Sequence, residues 1–98
     1  MKTVTDTAAA RELFLFADND RRTYEASYTP VAATLDKRRA RGTFDALKAV
    51  KAFEYVAEYA ARRYAEEFGG IWCRIFNAST RRAAAEQLTA LYIANAEE

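Results

Sequence analysis

The residues of this chain that could do chemistry are few, and most lack the partner their chemistry requires. Histidine is absent and Cys73 is the sole cysteine. Without imidazole there is no Ser-His-Asp or Cys-His nucleophile pair and no His-containing zinc site. One thiol can build neither a thiolate cage nor an internal disulfide. Asp18-Asn19-Asp20 begins like a calcium loop, but the glycine at position six and the glutamate at position twelve are missing. Gly69-Gly70 has no lysine behind it and so forms no phosphate-binding loop. Glu66 and Glu67 are neighbours, and on a helix they diverge by about 100° instead of converging as an acid–base pair. The expectation is a non-enzymatic protein with no metal and no cofactor.

What remains is cations and aromatics. Arginine pairs occur at Arg21-Arg22, Arg38-Arg39, Arg62-Arg63 and Arg81-Arg82, and cations are what phosphate contacts need. Arg62 has Glu58 and Glu66 four residues away, and Arg63 has Glu67. Those are ordinary helical pairs of a few tenths of a kcal/mol each. The most basic stretch is Asp36–Arg41, DKRRAR. At a helix C-terminus its cations complement the macrodipole. Arg38 and Arg39 flank the apolar stripe there, while Lys37 and Arg41 point away, so the four splay. Helix capping is the favoured reading; the alternative is a nucleic-acid site made of Lys37, Arg38, Arg39 and Arg41.

The aromatic question lies in KAFEYVAEYAARRYAEEF, Lys51 to Phe68. At about 100° per residue from Phe53, the residues Ala46, Ala49, Val50, Val56, Ala57, Ala60 and Tyr64 form one sector, with Phe68 at its edge. Tyr55 and Tyr59 fall about 200° and 240° round, among Lys48, Lys51, Glu58, Arg62 and Glu66. Two readings follow. The tyrosines lie under a neighbouring helix with their hydroxyls in water, or they form an exposed aromatic pair beside arginine, the composition of an interface hot spot. On the second reading Tyr55, Tyr59 and Arg62, with Lys48 and Lys51, bind a protein partner.

The elements that position these residues are helical. The chain has 98 residues, 51% of them hydrophobic with many alanines, and only three glycines and one proline. That leaves few of the turns an all-β fold needs. Net charge is +1, from 15 basic and 14 acidic residues, unlike a dedicated nucleic-acid binder. No signal peptide and no apolar stretch long enough for a bilayer is evident, so a soluble, cytoplasmic protein is expected. We predict one domain over residues 1–98, an all-α compact bundle of four main helices. The first runs from about Thr7 to Ala17, capped by Asp6. The second, capped by Asp18 or Asp20, carries a stripe of Tyr24, Tyr28, Val31 and Leu35, is kinked at Pro30 and ends at Arg41 before Gly42. The third and longest spans about Ala46 to Phe68, capped by Asp45. A short helical turn near residues 71–76 points Trp72, Ile75 and Phe76 inward, with Cys73 a small core residue. The fourth, capped by Asn77 or Ser79, runs to about Asn95 on Ala84, Leu88, Leu91 and Tyr92.

Three blocks carry a resemblance: LFLFADNDRRTYEASYTPVAATL, RGTFDALKAVKAFEYVAEYAARRYAEEFGG and RRAAAEQL, together covering roughly Glu12 to Leu91. In its mid-helix proline, its Gly-Thr-Phe-Asp turn and its KAVKAF run, the chain resembles a family of small helical proteins encoded on bacteriophages, plasmids and other mobile elements. The resemblance brings no catalytic motif and no functional residue. It implies an accessory role such as inhibiting a host defence complex, including anti-CRISPR activity, by protein–protein binding. A protein partner is therefore expected, with a homodimer as a further possibility and no membrane partner.

Overall fold

Three acidic or amide side chains set where the helices begin. Asp20 accepts from the Thr23 amide at 3.1 Å, Asp45 from the Leu47 and Lys48 amides at 2.8 and 3.2 Å, and Asn77 from the Thr80 amide at 2.9 Å. Each satisfies amides that a helix start leaves without an internal partner. The computed structural model describes residues 4–97, with side chains from Ala8 onward. Five helices follow in order. They are α1 (Val4–Asn19), α2 (residues 21–40), α3 (Ala46–Phe68), the single turn α4 (Trp72–Ile75) and α5 (Ala78–Ala96). No strand occurs among the described residues, so the fold is the all-α bundle of four main helices expected. The first helix starts earlier than expected, at Val4. Asp6 therefore lies inside its first turn and is not its cap, and its side chain falls outside the described residues.

The core forms where α3 packs on α5 and α1, which also pack on each other. Phe53, Val56, Leu13, Leu88 and Phe76 are fully buried at its centre. Around them Ala49, Ala57, Ala60, Ala61, Ala84 and Ala85 are also buried. Small side chains at these contacts let the helix axes approach closely. Tyr28 and Tyr92 set their rings 5.4 and 6.0 Å from that of Phe53, tying α2 and α5 to the same centre.

Helix α2 is continuous through Pro30, by a route the sequence reading did not anticipate. Its α-helical ends, Arg21–Thr23 and Thr29–Ala40, are joined by a π-helical stretch, Tyr24–Tyr28. The Thr29 amide donates to the Tyr24 carbonyl, five residues back, and the Thr29 hydroxyl donates to the same oxygen at 2.9 Å. In an α-helix the proline ring would collide with the carbonyl four residues earlier. The widened turn relieves that collision. It also moves the buried stripe. Thr23, Ser27 and Leu35 are buried and Val31 is partly buried. In a regular helix positions four apart drift by about 40° per step, and the extra residue of the π turn absorbs the drift. Tyr24, assigned above to the apolar stripe, is instead 50% exposed. It stacks on Tyr28 with ring centroids 5.4 Å apart.

The end of α2 is a Schellman motif. The Gly42 amide donates to the Arg39 carbonyl and the Thr43 amide to the Arg38 carbonyl, at 3.1 and 2.8 Å, with Gly42 at φ 75°. Only glycine takes that conformation without strain. At α4, Phe76 is buried and Trp72 packs partly into the core as expected, but Ile75 is exposed. Cys73 is exposed as well and is not a core residue. A four-residue turn lying on a surface has only one side to bury, and Phe76 and Trp72 occupy it.

A candidate docking face on the third long helix

Helices α1 and α5 both pack on the Phe53 side of α3, which leaves its opposite side open to water. Tyr55 stands there 56% exposed. Lys48, Lys51 and Arg62 are exposed around it, and Tyr59 is partly buried. The two tyrosines therefore differ. Tyr59 lies about 40° further round the helix, on the flank leading to Arg63, and Arg63 reaches across to Asp20 at the start of α2. Tyr55 is free of that side.

Next to Tyr55 a groove of about 250 Å³ opens between α3 and the first turns of α5, lined by Glu54, Tyr55, Glu58, Ala78 and Arg81. The guanidinium carbons of Arg62 and Arg81 lie 4.2 and 4.9 Å from the centre of the Trp72 ring. These are cation–π contacts. Arg81 also donates from Nη1 to the Phe76 carbonyl at 2.7 Å. Both carboxylates of the groove have cationic partners. Glu58 pairs with Arg62 at 3.3 Å and Glu54 with Arg82 at 3.2 Å. Among the described residues, Lys48, Lys51 and Arg81 have no carboxylate partner. The five cations of this face (Lys48, Lys51, Arg62, Arg81, Arg82) less its three carboxylates (Glu54, Glu58, Glu66) leave a local charge of +2. Of the residues expected here from the sequence, Tyr55, Arg62, Lys48 and Lys51 share this side and Tyr59 lies on its flank, whereas Trp72 and Arg81 were not expected here. These two come from other helices and meet α3 only in the fold.

The basic segment sits elsewhere, at the end of α2. Lys37, Arg38, Arg39 and Arg41 are all exposed. Arg39 Nη1 lies 3.5 Å from the carbonyl of Ala96, the last residue of α5, so two helix C-termini converge on these cations. Both termini carry partial negative charge that the arginines offset. Nearby, Tyr92 donates its hydroxyl to Asp36 at 2.6 Å. Burial and that hydrogen bond push the Tyr92 hydroxyl above its ordinary pKa of 10.0.

A third cluster is structural. Arg63, with its side chain only 11% exposed, bonds Asp20, Glu66 and Glu67 at 3.2, 2.8 and 2.8 Å. Burial pushes the Asp20 carboxyl up. Its hydrogen bonds from Arg63 and Thr23 outweigh that and hold it below its ordinary 3.8. The same carboxylate therefore caps α2 and ties it to α3.

Further apolar side chains are exposed, Leu15 on α1 among them. Phe68, Ile71 and Ile75 are exposed around the joint between α3 and α4, and Leu47 is exposed in the first turn of α3. Among the described residues no group of three metal-ligating side chains converges, and no helix is long and apolar enough to cross a membrane. Neither a family model, a curated protein nor a solved structure matches the chain. The fold defines a small all-α domain, and α3 carries a charged, aromatic face.

Proposed function

We propose that this chain is a non-enzymatic protein-binding module that docks its partner on the outer side of α3, centred on Tyr55. One observation carries the reading. A large amphipathic ring stands more than half exposed on the side of α3 that carries Lys48, Lys51 and Arg62, beside a groove lined by Arg81, whose guanidinium lies against Trp72. Tyrosine, tryptophan and arginine are the residues on which interface energy concentrates. The mobile-element resemblance extends this to inhibition of a host defence complex, achieved by occupying a surface of that complex. Nucleic-acid binding through Lys37, Arg38, Arg39 and Arg41 is the competing reading. Against it stands the engagement of that segment with two helix ends.

The test is affinity capture from lysate of the source cell, comparing the wild type, Tyr55→Ala, and the triple change Arg38→Gln, Arg39→Gln, Arg41→Gln. The expected result is one protein held by the wild type and the triple variant and lost from Tyr55→Ala. A partner lost from the triple variant and kept by Tyr55→Ala would move the function to the end of α2.

A further inference from the structure

Resting on that reading, we infer that the partner's contact segment is acidic, and that one of its carboxylates seats on Arg81 in the groove beside Tyr55. Arg81 is the one groove cation with no carboxylate among the described residues, since Glu54 and Glu58 are held by Arg82 and Arg62. It is also fixed before any partner arrives. Its guanidinium carbon lies 4.9 Å from the centre of the Trp72 ring, and Nη1 is held by the Phe76 carbonyl. The Nε–Nη2 edge has no partner among the described residues, and such an edge matches the two oxygens of a carboxylate. Lys48 and Lys51 add exposed positive charge on the same side of α3, which would steer an acidic segment toward it.

The experiment is a titration of the isotopically labelled full chain, followed through its amide resonances, with capped hexaglutamate, capped hexaglutamine and a short DNA duplex. Hexaglutamate is expected to move the amides of Tyr55, Glu58 and Arg81, and hexaglutamine to move none of them. Arg81→Gln should weaken the hexaglutamate effect about tenfold, the scale of one charge-assisted hydrogen bond. Arg81→Lys, keeping the charge without the fork, should fall between. Unmoved groove amides, movement confined to Lys37–Arg41, an undiminished response in Arg81→Gln, or a duplex that displaces hexaglutamate from the groove would each overturn the inference. It can fail while the docking face stands. Arg81→Gln would then still capture the partner that Tyr55→Ala loses.

Discussion

Asp20 performs two tasks with one carboxylate, and substitutions separate them. Asparagine caps a helix about as well as aspartate, whereas alanine loses about 1 kcal/mol. Asp20→Asn should therefore lose only the tie to Arg63, and Asp20→Ala should lose the cap as well, melting lower by roughly a further 4–8 °C. Because the folded carboxyl titrates below its unfolded value, its contribution is complete above pH 3.8 and is lost as the pH falls below it. Acid unfolding followed by circular dichroism should show the wild type losing more stability than Asp20→Asn below that pH. Equal acid slopes would remove Asp20 from the account. The tyrosines of α3 separate in the same way. Tyr55→Ala should leave stability within about 1 kcal/mol of the wild type, as exposed changes do. Tyr59→Ala should cost more, because its ring is partly buried. Thermal melts of the two single variants decide this, and equal losses would contradict the exposures described.

At the scale of the elements, the π turn in α2 makes an unusual deletion permissible. Removing Ala26 takes the extra residue out of Tyr24–Tyr28. The buried positions 23, 27, 31 and 35 then become spaced by three, four and four residues, the pattern of a regular amphipathic helix. Pro30 would now meet an α-helical turn, at a cost of about 3 kcal/mol. Deletion of Ala26 together with Pro30→Ala should therefore fold with a native-like spectrum, and deletion of Ala26 alone should be less stable by about that amount. Deleting Ala33 instead should rotate Leu35 by about 100° out of the core. If all three deletions were equally damaging, the π turn would not be what keeps the stripe in register. The same contrast explains what was legible in the sequence. The cap at Asp45, and those at Asp20 and Asn77 as one of two candidates each, were readable because each bond spans at most three residues. The core sector of α3 was readable because a long regular helix repeats its period. In the stripe of α2, Tyr28, Val31 and Leu35 do pack on the core, but Tyr24 was misplaced because the period changes inside the helix, and nothing in YEASY announces a five-residue turn. Ile75 and Cys73 were misread because a four-residue helix is too short to show a period. The Arg63–Asp20 pair and the convergence of Trp72 and Arg81 on α3 were out of reach, since they join residues that only the packing brings together.

Across the whole molecule, the Phe53 side of α3 is spent on cohesion with α1 and α5, and its Tyr55 side is left exposed. The exposed Phe68, Ile71 and Ile75 lie at the far end of α3, so any pairing of two copies through them would leave the Tyr55 face open. If two copies pair through that end, Phe68→Lys should shift their equilibrium, followed by sedimentation, toward monomer and leave partner capture unchanged. If it abolished capture, the docking face would extend to that end of the helix. The most direct measurement is site-specific photocrosslinking in the source cell, with a photoreactive phenylalanine analogue placed at position 55 in one variant and at position 41 in another. The account expects an adduct to a protein from position 55 and no nucleic-acid adduct from position 41. A nucleic-acid adduct from position 41, with none to protein from position 55, would contradict it.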